Sequence, residues 1–193
     1  MKQGSQSMQD RFALQICKNK SYIEIGANSP TRMSNTFLLE GHQFLGFSIE
    51  LDLTHKKKWD KSTRKNKVFW DNALTFNYSQ AATKIGLTKN IGYLSCDIEP
   101  PHNTFLALKK VIEEGFTFEC ITFEHDAYQS TSEYDKIARD YLQAVGYKVA
   151  VENVYVGNSP TDIFETWFVK DTIDFTQTDY ESWKNNYKGF NIL

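Results

Sequence analysis

The chain has 193 residues, which suits one domain and is short for two; at that length a fold buries roughly 70% of the surface its unfolded chain exposes. A hydrophobic share of 40% and a charged share of 24% exclude a collagen-like, low-complexity or wholly disordered protein. No apolar run approaches the ~18 residues of a membrane span, and the opening MKQGSQSMQD has no apolar stretch of the kind a secretory leader needs. The net charge of −2 argues against a dedicated nucleic-acid binder.

A single domain over 1–193 is expected, with a leading helix within 1–20, a core fold over 21–170 and a tail over 171–193. Phe12, Leu14 and Ile16 suggest that helix. SYIEIG (21–26) is the first strand, FLGFSIE (44–50) the second and KVFWDNAL (67–74) holds the third. IGYLSCDI (91–98) and FTFECITFE (116–124) are the fourth and fifth. Between them, Phe105, Leu108, Val111 and Ile112 form a helical stripe after Pro100-Pro101, with Asn103 or Thr104 as N-cap. Tyr134, Ile137, Ala138, Tyr141, Leu142 and Val145 form a longer stripe, and Gly146 sits where a helix ends. GYKVAVENVYV (146–156) and DIFETWFVK (162–170) close the series; the loop between them is too short for a helix and predicts an antiparallel hairpin.

Polar residues punctuate the carboxyl ends of the strands: Gly26, Glu50, Asp71, Asp97 and Glu124 recur at intervals of 21 to 27 residues. That rhythm is a strand–helix repeat and predicts a parallel sheet with right-handed crossovers. In such sheets a ligand lies beyond the carboxyl ends of the strands. Cys17, Cys96 and Cys120 sit in apolar surroundings at wide spacing, neither a disulfide framework nor a zinc pattern. Reduced thiols and a cytoplasmic location follow as expectations.

The first loop, EIGANSPTRMSNT, has Gly26 but carries Asn28 and Thr31 where a dinucleotide fingerprint needs glycine. A pyrophosphate cradle is therefore not expected. Glu50 stands where an acid accepts from ribose hydroxyls, and Asp71 could accept from an adenine amine. A nucleoside without phosphates suits such a site, and S-adenosylmethionine is the common cofactor of that description.

Segments spread along the chain resemble class I S-adenosylmethionine-dependent methyltransferases, and within them the FkbM-type family. They are QSMQD (6–10), YIEIGANSP with SNT (22–36), GFSIELD (46–52), WDNA (70–73), IGYLSCDIEPP (91–101), FECITFEHDAY (118–128) and FETWFV (164–169). The resemblance implies a Rossmann-like three-layer αβα sandwich. Its sheet would be seven-stranded and mostly parallel, in order 3-2-1-4-5-7-6 with an antiparallel last strand. It also implies that Glu24, Gly26, Ala27 and Asn28 line the methionine end of the cofactor, that Glu50 holds the ribose with Asp71 and Asn72 near the adenine, and that Asp97 sits at the transfer centre. The chain departs from the family in Pro100-Pro101 and in Thr166.

Methyl transfer to a hydroxyl, on a sugar, glycan or small molecule, also needs a proton acceptor. Asp97, Glu99 and His125 are the candidates, His125 because its ordinary pKa lies near neutrality. Asp97, Glu124 and His125 could together hold a divalent ion, but the spacing is not diagnostic and no metal is assigned. The run HKKKWDKSTRKNK (55–67), with seven Lys/Arg, reads as a solvated face or as a surface for an anionic acceptor. Trp59, His102, Tyr128 and Trp167 are candidates for stacking on a sugar, or for core. Two alternatives stand beside this reading: a nicotinamide-dependent Rossmann oxidoreductase, and a methyltransferase-like binding module without turnover. The oligomeric state is left open.

Overall fold

A computed structural model describes residues 4–129 and 132–188. Residues 1–3 of the leading segment and 189–193 of the tail lie outside them. In chain order the elements are α1 (Gln9–Ile16), β1 (Ser21–Ile25), α2 (Phe37–Gly41), β2 (Leu45–Glu50), a 3-10 turn (Leu53–His55), α3 (Lys56–Asp60) and β3 (Lys67–Trp70). Next come α4 (Tyr78–Ile85), β4 (Asn90–Cys96), α5 (Pro101–Glu113), β5 (Thr117–Glu124), α6 (Glu133–Ala144), β6 (Tyr147–Tyr155), β7 (Ile163–Lys170), β8 (Thr178–Asp179) and α7 (Tyr180–Asn186).

The sheet runs β3-β2-β1-β4-β5-β7-β6-β8. β1 to β5 pair in parallel, and β7 lies antiparallel to both β5 and β6. The expected order holds, with one addition. The tail contributes a two-residue eighth strand, parallel to β6, and α7 then packs Tyr180 and Trp183 into the core.

Period-two alternation divides the buried side chains between two faces. Ile23, Ile25, Phe47, Leu94, Ile121 and Phe168 point to the face covered by α4, α5 and α6. Tyr22, Tyr93, Cys120, Trp167 and Val169 point to the other, under α1 and α7. Trp167 anchors this second core, with ring centroids 4.8 Å from Phe12, 5.0 Å from Trp183 and 5.6 Å from Tyr180. Cys17, just past α1, places its sulfur 3.4 Å from that of Cys120 on β5; all three cysteines are free thiols.

Boundaries differ from expectation where turn chemistry intervenes. β3 stops at Trp70 because Asn72 opens a turn, its side chain accepting from the Leu74 N–H at 2.9 Å. α5 begins at Pro101, with Pro100 in the capping position and no side-chain cap. This corrects the expected cap at Asn103 or Thr104: proline at the first helical position needs no partner for a missing N–H. Thr104 instead turns inward, its Oγ1 accepting from the Ile98 N–H at 3.3 Å. α6 ends as expected, with Gly146 at φ +91° directly after its last turn.

Candidate functional site

At the carboxyl edge, the ends of β1 to β4 enclose a cavity of about 480 Å³. Gly26, Asn28, Glu50, Asp71, Asn72, Asp97 and Glu99 line it, joined by Asp52, His55 and Asn103. A larger cavity, about 630 Å³, opens at the amino edge around Lys18, Glu119 and Lys170. The amino edge lies opposite the strand ends at which such sheets bind their ligands, and none of the residues expected to carry chemistry lines that cavity.

Gly26 sets the geometry of the site. Its φ is +85°, and a Cβ there would lie 1.6 Å from the Asp97 carbonyl oxygen and 2.9 Å from the Ile98 side chain. Only glycine lets the chain leaving β1 pass so close to the chain leaving β4. Glu50, at the end of β2, then organises the loop. One carboxylate oxygen accepts from the Asn28 N–H and the other from the Asp52 N–H, each at 2.7 Å. Each oxygen retains acceptor capacity for a ligand hydroxyl. Asp71 is exposed at the cavity wall and accepts from the Asn72 N–H at 2.7 Å.

Two residues expected at the cofactor lie behind this wall. Ala27 is buried, and its N–H bonds to the Ile49 carbonyl at 3.2 Å. Glu24 is buried beneath the loop and accepts from Thr36 Oγ1 at 2.8 Å and Ser48 Oγ at 2.6 Å, with Arg64 4.0 Å away. Burial raises its pKa against the opposing pull of Arg64.

Arg64 is the buried cation that the basic run concealed. Its side chain is 1% exposed. It donates to Glu40, the Pro30 carbonyl, Ser34, Tyr22 and Thr36, and its guanidinium lies 4.7 Å from the Trp59 ring centroid. Trp59 in turn donates its indole N–H to the Asn28 carbonyl at 2.9 Å. This pair ties the first loop to the segment after β2. The neighbouring Lys57, Lys58, Lys61 and Lys65 are exposed. Of the proposed stacking residues, Trp59 and Trp167 are core, Tyr128 is exposed and His102 meets the Tyr134 hydroxyl at 2.9 Å.

A row of acids extends from the cavity across β4, β5 and β7. Asp97 follows Cys96, which pairs with Phe123; Glu124 follows Phe123 and pairs with Glu165. Asp97, Glu124 and Asp126 lie close enough to shift one another's titration. Burial, then the Asp97 charge, push Glu124 far above the usual carboxylate range. Burial raises Asp97 as well. Glu165, fully buried, accepts on one oxygen from Gln9 Nε2 at 3.0 Å and Trp167 Nε1 at 2.7 Å; its other oxygen has no partner among the described residues. Burial pushes Glu165 up to about 8.

His125 does not join this row. It is buried and turned to the α6 side, its Nε2 3.3 Å from Thr166 Oγ1 and 3.6 Å from Asp135, within a network completed by Arg139. Burial depresses its pKa to about 4. Among the described residues no group of three or more His, Cys, Asp or Glu side chains is arranged to hold a metal ion.

No protein-family model matches the chain, and no curated protein matches it. Solved structures do. An rRNA methylase from Streptococcus thermophilus is 11% identical over 84% of this chain and 94% of that one, with a TM-score of 0.56. The plantazolicin methyltransferase BamL, in complex with a desmethyl-plantazolicin analogue and S-adenosylhomocysteine, is 10% identical over 86% of each chain, TM-score 0.55. A spermidine synthase bound to the transition-state analogue AdoDATO is 12% identical over 96% of this chain and 66% of that one, TM-score 0.61. The chain thus has the Rossmann-like α/β fold of class I S-adenosylmethionine-dependent methyltransferases, with an eighth strand added at the sheet edge.

Proposed function

We propose that this protein is an S-adenosylmethionine-dependent methyltransferase of the FkbM type. The observation that carries the reading is the cavity at the carboxyl edge, where Gly26, Glu50, Asp71 and Asp97 converge from four strand ends. The chemistry of the donor set fits the cofactor. Glu50 offers carboxylate oxygens for a ribose diol, and Asp71 and Asn72 offer an acceptor and an amide for an adenine edge. The absence of a Cβ at Gly26 keeps the floor open beside Asp97. Several acids and no Lys or Arg line the wall, which suits a sulfonium and an ammonium better than a pyrophosphate. Solved neighbours that hold S-adenosylhomocysteine support the same reading.

Once bound, the cofactor supplies the methyl electrophile. The chain's own work is to position, to exclude water and to receive a proton. Asp97 stands at the junction of the cavity and the acid row, where its raised pKa suits it to receive an abstracted proton. Glu99 is exposed on the rim, where it can orient an acceptor. The acceptor atom is one whose proton must leave: a hydroxyl of a sugar, glycan or small molecule, as read from the sequence, or an amine. The neighbours' names point to rRNA, to plantazolicin and to spermidine, so fold alone does not choose among acceptors. No helix among the described residues is long and apolar enough to cross a membrane. We assign the protein to the cytoplasm on its three free thiols.

Thermal unfolding with S-adenosylhomocysteine and, separately, NAD(H) tests the cofactor. S-adenosylhomocysteine is expected to raise the melting temperature and NAD(H) to leave it unchanged. The opposite pattern favours an oxidoreductase. Binding without turnover on any acceptor, in a chain whose Asp97→Asn variant behaves identically, favours a binding module.

A further inference from the structure

We infer that the methyl acceptor is a cationic amine whose ammonium group docks on the acid row formed by Asp97, Glu124 and Glu165. The inference rests on the methyltransferase reading above and names the acceptor class for the same site.

Cross-strand register places Asp97, Glu124 and Glu165 side by side on three adjacent strands, on one face of the sheet. The charged groups that act most strongly on Asp97 and Glu124 are carboxylates, Glu50, Glu99, Asp126 and Glu165 among them. No ion pair among the described residues reaches Asp97, Glu124 or Glu165, whereas Glu24, Glu40, Glu114 and Asp135 each have an arginine or lysine at hand. Arg139 and His125, near in sequence and space, serve the opposite face.

A second observation is independent of that clustering. Glu165 is 0% exposed, and the oxygen left over from Gln9 and Trp167 has no partner among the described residues. Burying an unpaired acceptor costs about 1–3 kcal/mol, so its persistence beside two further acids points to a donor that arrives with the ligand. An ammonium brings three N–H donors and a positive charge, which suits a row of acids that has no cation of its own. A phosphate or uronate acceptor would be repelled. A neutral hydroxyl would satisfy one oxygen and bring no positive charge to the row.

The chemistry balances. The ammonium gives one proton to the row, leaving a neutral amine with its lone pair free. That pair forms the N–C bond to the transferred methyl as the C–S bond breaks, its electrons remaining on sulfur. The sulfonium charge is thereby discharged, the product leaves as a methylammonium ion, and the row returns its proton to solvent.

Calorimetry on the full chain saturated with S-adenosylhomocysteine tests this with matched probes: 1,4-diaminobutane against 1,4-butanediol, and glucosamine against N-acetylglucosamine. At least one amine is expected to bind tenfold or more tightly than its neutral partner, to weaken as salt is raised, and to weaken at least fivefold in Glu165→Gln, which keeps an acceptor for Gln9 and Trp167. If neither amine exceeds its neutral counterpart, or if Glu165→Gln binds the amine as the wild type does, the inference is overturned. Circular dichroism of Glu165→Gln distinguishes a lost contact from a lost fold, and the wild-type amine-to-neutral comparison decides should the variant fail to fold. Failure of S-adenosylhomocysteine itself to bind removes the underlying methyltransferase reading, a separate outcome visible in the first titration.

Discussion

Replacing Arg64 by alanine removes five hydrogen bonds at once, to Glu40, Pro30, Ser34, Tyr22 and Thr36. It also strands Glu24 and Glu40 without their buried cation. Breaking a buried ion pair by removing one partner costs about 3–5 kcal/mol, against a typical total of about 5–15 kcal/mol. With a urea m-value of about 2 kcal/mol per molar, the unfolding midpoint should fall by about 2 M. Arg64→Lys should recover only part of this, because one ammonium cannot reach the positions that the planar fork serves together. Arg64→Ala/Glu40→Gln should lose less than the sum of its single variants, since the second change removes a charge the first left unpaired. Pro30, Ser34 and Thr36 belong to the loop after β1, so affinity for S-adenosylhomocysteine should drop along with stability. A midpoint for Arg64→Ala within about 0.3 M of the wild type, about 0.6 kcal/mol at that slope, would refute the view that this guanidinium holds the loop.

Three further outcomes are expected. Gly26→Ala must accept a left-handed backbone and displace the Asp97 carbonyl; we expect a loss of about 2–4 kcal/mol and at least tenfold weaker S-adenosylhomocysteine binding, and native affinity would contradict the close approach. Glu50→Gln should weaken the same ligand about tenfold, near 1.4 kcal/mol, with little change in melting temperature, read by calorimetry. The two buried titrating groups act on stability with opposite signs. His125, depressed from 6.5 to about 4, favours the fold above pH 6.5 and withdraws up to roughly 3 kcal/mol as pH falls to about 4. Glu165, raised from 4.5 to about 8, favours the fold below pH 4.5 and withdraws support as pH rises to about 8. Urea titrations across pH 4–8 should therefore show Glu165→Gln gaining on the wild type toward pH 8 and His125→Asn gaining toward pH 4; parallel curves would contradict both placements.

The sheet was legible because apolar runs and punctuating acids recur with the period of a strand–helix unit, and that period survives whatever the loops do. Gly26, Glu50, Asp71 and Asp97 were legible for the same reason: each occupies a strand end, and strand ends on one edge converge. The resemblance implies that Glu24 lies at the cofactor; its partners Thr36, Ser48 and Arg64 come from three other segments and leave no local trace in the sequence. Glu124 and His125 looked like a single cluster because they are adjacent, but successive residues of an extended chain point to opposite faces, and the pair divides accordingly. Arg64 had no signal at all. In a run of seven cations nothing marks the one whose side chain folds inward, apart from the tryptophan five residues earlier on which it stacks. Glu165 reads as an ordinary alternating strand residue until Gln9 is seen to arrive from the other end of the chain.

The Cys17–Cys120 contact gives the leading helix a latent attachment point. Two sulfurs 3.4 Å apart need to approach by little more than an ångström to reach the bond length of about 2 Å, and the helix would then be sutured to the middle of the sheet. Mild oxidant thus offers a chemical clamp already written into the chain: a mass loss of two hydrogens would report its closure, and a reductant would undo it.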